Sequence, residues 1–141
     1  MTSTTKKRIA AGIGGVLGAL TIVEGSSVLL GITQPPYIVL TWLLLYNVVM
    51  GFVGLAAAVG LWMSRRWATT LAVFIAAAHA TVLATLGILL AIDSPVAMHS
   101  VQAMTMRTAV WLAIAWIAWK SDRAVSTTIP ATQQTGSSNP R

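Results

Sequence analysis

The sequence predicts an all-α integral membrane protein, an antiparallel bundle of four transmembrane helices with both termini cytoplasmic. Three observations carry this expectation. Hydrophobic residues make up 56% of the 141-residue chain and charged residues only 9%, against about 25% charged in soluble domains. The apolar residues fall into four long blocks, each meeting the roughly 20 residues that a helix needs to cross the hydrocarbon core. The Lys and Arg residues stand between those blocks and are nearly absent from them.

The first span is expected over 9–32, behind the basic run Lys6-Lys7-Arg8. A secretory signal opens in the same way, but this apolar run is too long, contains Glu24 and lacks a clear small-residue cleavage site. It is therefore expected to stay on the chain. Gln34-Pro35-Pro36 removes two backbone donors and disfavours helix for the preceding residue, so the second span is expected over 38–63. Ser64-Arg65-Arg66 makes a short charged turn before a third span over 67–92. Asp93-Ser94-Pro95 offers a side-chain acceptor and a proline that suit a helix start, placing the fourth span over 96–119. Residues 1–123 form one transmembrane domain. The Ser/Thr/Gln/Pro-rich tail, 124–141, has no apolar periodicity with which to offset its ordering entropy and is expected to be disordered.

The net charge of +6 would suit a nucleic-acid binder if it formed one basic face with interleaved aromatics. Instead it marks span ends, so no nucleic-acid partner is expected. Apart from Arg107, the basic residues lie before the first span, between the second and third, and after the fourth. The positive-inside rule then puts both termini in the cytoplasm, most simply in a plasma (inner) membrane. Tyr37 and Trp42 fall at or near the outer interface, and Trp62, Trp67, Trp116 and Trp119 towards the inner one, as an aromatic belt requires.

Lipid gives helices no hydrophobic reason to associate, so small residues mark the packing faces. These are Gly14 and Gly18 in the first span, Gly51 and Gly54 in the second, and Ala72, Ala76, Ala80 and Ala84 in the third. The spacing does not say whether such faces meet within one chain or between copies.

A charged group at the bilayer centre costs about 2.5 to 3.5 kcal/mol on insertion scales. Each span nevertheless carries one strongly polar residue at similar depth. At 1.5 Å per residue, Glu24, Asn47 and Arg107 lie roughly 12 to 16 Å from the outer boundary, and His79 roughly 20 Å. This layer is either structural, with Glu24 neutralising Arg107, or a site for an ion, proton or small polar molecule.

Metal and redox chemistry finds thinner support. Thiolate sites are excluded, since the chain has no cysteine. Bis-histidine haem ligation within one chain would need His79 and His99, which differ by roughly 20 Å in depth. Met98, His99, Met104 and Met106 are soft ligands of the kind that suits Cu(I), though Met98 and His99 diverge on a helix and methionine ordinarily fills cores. No cofactor is expected, with haem and copper left as open alternatives. There is no nucleophile elbow and no zinc-protease motif, so an enzyme is the less expected outcome.

Asn47-x-x-x-Gly51, the two-arginine turn between Leu61 and Trp67, and the alanine-rich third span with His79 resemble the middle of small four-helix DoxX-type membrane proteins. The resemblance implies a four-helix fold, and no functional residue is carried across. The first expectation for function is a non-enzymatic accessory or assembly subunit, packed in a membrane complex or a homo-oligomer. The alternative is a small transporter or channel built on the polar layer, followed by a haem- or copper-handling redox protein.

Overall fold

The computed structural model describes residues 2–36, 39–92 and 96–126, and in them the chain forms four α-helices. They are α1 (Ser3–Leu29), α2 (Thr41–Trp62), α3 (Arg66–Ala91) and α4 (Met98–Ser126). All four are long and apolar enough to cross a membrane. Around the bundle α1 packs against α2 and α4, and α3 against α2 and α4, with α1 and α2 in the most extensive contact.

The boundaries follow local chemistry. At the start of α1 the Thr2 side chain accepts from the Thr5 N–H at 3.3 Å, which satisfies one of the free donors of the first turn. The helix stops at Leu29, three residues short of the expected end and well before the prolines. Gly31 takes φ +72°; its N–H donates to Val28 O, and that of Ile32 to Ser27 O. This is the Schellman arrangement, which glycine adopts without steric cost. The end of α2 repeats it with a non-glycine residue. Ser64 has φ 56° and donates to Leu61 O, while Arg65 donates to Gly60 O. The two-arginine turn is thus a helix stop followed at once by α3. The expected start of α4 at Asp93-Ser94-Pro95 lies outside the described residues, as does Tyr37. The other end of α4 departs from expectation. The helix continues through Lys120, Asp122 and Arg123 to Ser126, so the first three tail residues are helical. The remainder of the tail lies outside the described residues.

Small residues set the spacing of α1 against α2. A Cβ added to Gly18 would lie 2.9 Å from Gly51 O, and one on Gly51 would lie 3.0 Å from Gly18 O. Neither position leaves comfortable room for a Cβ, so the two backbones approach closely. Gly14 and Gly54 open a second space, which the Trp111 indole fills. Added Cβ atoms there would approach Trp111 Cη2 at 3.3 Å and Cζ2 at 2.9 Å respectively. Gly14, Gly18, Gly51 and Gly54 thus all lie at close contacts between helices of the one chain. The alanine stripe of α3 divides. Ala72 and Ala76 are buried, whereas Ala80 and Ala84 are exposed.

The larger core joins Trp111, Ile114 and Ala118 of α4 to Ala10, Ala57, Leu61, Ala72 and Ile75. A smaller core of Leu43, Leu86 and Met104 lies nearer the α3–α4 connection. At the basic end the start of α1 meets the end of α4. Buried Lys7 pairs with Asp122 Oδ1, and Thr69 Oγ1 of α3 donates to Asp122 Oδ2 at 2.6 Å. Three helices are thereby tied through one carboxylate. Around this end Arg8, Lys120 and Arg123 sit over the rings of Trp62, Trp116 and Trp119.

Candidate functional site

The four polar residues converge. Glu24 and Arg107 make a charge contact, Nη2 to Oε2, at 3.8 Å. That separation is too long for a hydrogen bond. The two partners differ sharply in environment, with the Arg107 side chain 13% exposed and that of Glu24 74% exposed. A closed neutralising pair would show short, paired N–H···O bonds and two hidden side chains. Here the arginine is held inside and the carboxylate stands off at the surface.

The space between them is a half-open cleft of about 110 Å³. Thr21, Glu24 and Val28 of α1 form one wall, and Leu43 and Asn47 of α2 the second. The third wall, from α4, carries His99, Ser100 and Arg107. No α3 residue takes part. The cleft exists because α1 and α4 are drawn together elsewhere, by Gly14 against Trp111 and by Lys7 with Asp122. Toward the connection between α1 and α2 the charge contact of Glu24 with Arg107, at 3.8 Å, spans the gap between α1 and α4.

Beneath the cleft lies a second space of about 10 Å³, lined by Thr21, Asn47, His79, Arg107 and Trp111 among others. It has the size and polarity of a single-water site. Arg107 and Asn47 border both spaces and so connect them. His79 reaches only the inner one and Glu24 only the outer one. Asn47 Oδ1 is buried with no hydrogen-bond partner among the described residues, a state that costs free energy unless something donates to it.

Tyr46 stands next to His79, with its hydroxyl 2.9 Å from His79 Nδ1. Sequence reasoning missed it, because a tyrosine beside Asn47 in an apolar span looks like ordinary packing. It also missed Thr21, three residues before Glu24 on the same helical face. The Thr21 hydroxyl donates to Leu17 O at 2.8 Å, and the residue lines both spaces. Lys7 and Asp122 were missed as a pair for a plainer reason: 115 positions separate them. Lys7, read as a surface charge that orients the chain, is in fact buried.

The soft metal-ligand candidates separate. Met104 is 1% exposed in the smaller core, Met98 and Met106 are exposed, and His99 lies on the cleft wall. No group of three or more His, Asp or Glu residues that could hold a metal ion occurs among the described residues. Comparison of the chain with protein-family models, curated proteins and solved structures gave no match. The resemblance to DoxX-type proteins therefore has no support beyond the residues that suggested it.

Proposed function

We propose that the chain is a small solute-binding membrane protein of the transporter type, whose cleft admits a small polar molecule bearing an anionic group. One observation carries this reading. A nearly buried arginine faces an open cleft at a distance its own acidic neighbour does not bridge by a hydrogen bond, next to an unpartnered Asn47 acceptor. An anion with one donor group would supply what both lack: a charge-assisted acceptor for Arg107 and a donor for Asn47. The volume suits a headgroup of a few heavy atoms, since a dry cavity of about 150 Å³ holds benzene.

In this reading the helices run antiparallel, with both termini in the cytoplasm of a plasma membrane. The meeting of the α1 start with the α4 end supports the first part, and the basic residues gathered there support the second. The cleft then opens toward the outer face while the inner end is closed. Formate, acetate, nitrate and chloride are suitable calorimetric probes for the purified protein. Wild type should bind at least one, and Arg107→Gln should weaken that binding about tenfold or more. In proteoliposomes the best-bound anion should show a flux that the same substitution removes. Failure of all four probes to bind would overturn the site, and binding without flux would overturn transport.

The exposed Ala80 and Ala84 support a second reading, in which this face of α3 packs against another copy or a larger membrane complex. A monomeric, partner-free species in mild detergent would count against it.

A further inference from the structure

A second depression shares no residue with the cleft. It is a groove of about 250 Å³ on the outer surface of α1 and α2, lined almost wholly by apolar groups. Ala11, Gly15 and Ala58 make the floor, and Leu55, Val59 and Trp62 the wall. The floor is low because these residues are small; the wall is high because Val59 and Trp62 are large and 60% and 55% exposed. From Leu55 to Trp62 it runs about 10 Å along the helix axis. That fits within one leaflet of a hydrocarbon core about 30 Å thick.

The groove ends at a cation. Arg8 lies one turn before Ala11, and its guanidinium sits 5.7 Å from the Trp62 ring centroid. It makes no ion pair with an acid among the described residues. Lys6, in the same turn, is exposed. An apolar slot about 10 Å long, capped by a cation that pairs with no acid among the described residues, matches an amphiphile with an acyl chain and an anionic head.

We propose that this groove is a binding site for an anionic phospholipid, with one acyl chain between Gly15 and Val59 and the phosphate at Arg8. The stack of Arg8 on Trp62 fixes the cation at the mouth, where the interface lies if the helices span a bilayer. The site does not depend on the cleft, and its failure would leave the solute-binding reading untouched.

The test is native mass spectrometry of the full chain from detergent, with phosphatidylglycerol and phosphatidylcholine of the same acyl chains. Wild type should retain phosphatidylglycerol about fivefold more strongly, the contribution expected of one basic residue near a lipid headgroup. Arg8→Gln should bring phosphatidylglycerol down to the phosphatidylcholine level, and Arg8→Lys should keep most of the preference. Val59→Trp, which fills the slot from its exposed rim, should release both lipids. Lys120→Gln is the control for diffuse attraction to the basic end and should change nothing. Equal retention of the two lipids by wild type, or an equal effect of Lys120→Gln, would overturn the proposal. So would full displacement of phosphatidylglycerol by inorganic phosphate, which would make the mouth an ion site with no role for the groove.

Discussion

The two ion pairs should differ in energetic character, and paired double-mutant cycles can measure the difference. Unit charges 3.8 Å apart, as in Arg107 and Glu24, attract by about 1 kcal/mol at the dielectric of water and about 4 kcal/mol at an effective value of 20. Glu24 is 74% exposed at the mouth of an open cleft, so screening moves the coupling to the lower figure. Lys7 and Asp122 are in direct contact with side chains only 6% and 28% exposed, and Thr69 holds the second carboxylate oxygen. Their coupling belongs toward the upper part of the 0.5 to 3 kcal/mol range seen for contacting residues. Asp122→Ala alone leaves Lys7 buried without an acid, at a cost approaching the roughly 3 to 5 kcal/mol of a broken buried pair. Unfolding in detergent micelles, followed by far-ultraviolet circular dichroism, gives the four corners of each cycle. The expected result is a coupling near 1 kcal/mol for Glu24→Gln with Arg107→Leu, and about 2 kcal/mol or more for Lys7→Met with Asp122→Ala. A Glu24–Arg107 coupling equal to or above that of Lys7–Asp122 would show that the outer pair is a structural clasp. The cleft would then lose its claim to be a binding site.

Four further predictions concern packing and topology. Gly18→Ala should destabilise the protein by about 1 to 3 kcal/mol through forced separation of α1 from α2, whereas Gly12→Ala, whose Cβ would meet nothing within 4 Å, should be neutral or stabilising; equal effects on the thermal midpoint would contradict the backbone contact. Ala76→Leu should disrupt the fold in detergent while Ala80→Leu leaves a folded monomer, since only Ala76 is buried. Leu83→Ala should cost more than a lipid-facing leucine would, because Leu83 packs on the smaller core; an unchanged midpoint would refute that. Reporter fusions after Ser126 and in the 63–67 turn should both report cytoplasm, and a fusion at Pro36 the outside; a cytoplasmic signal from Pro36 would overturn the proposed topology.

Helix number and approximate extent were legible in the sequence because a lipid-facing helix must hide its backbone within itself and show apolar side chains for about 20 residues. That constraint is local, so a one-dimensional scan finds it. Exact ends were less legible. Prolines are visible breakers, yet α1 stops at Gly31 and α2 at Ser64 through turns that depend on φ. A serine at a left-handed position has no distinctive composition. The four polar residues were legible as outliers, because a polar group in an apolar run is costly wherever it points; Glu24, Asn47, His79 and Arg107 line two adjoining spaces. Their relations were not. Depth along a helix is set by counting residues, but rotation about the axis is set by what the neighbouring helices present. Only the packing could decide that Glu24 faces outward while Arg107 turns in, that Tyr46 takes His79, and that Trp111 fills the room left by Gly14 and Gly54. Only the packing, too, could bring Lys7 to Asp122 across 115 positions, turning a charge that reads as topology into a tie between α1 and α4.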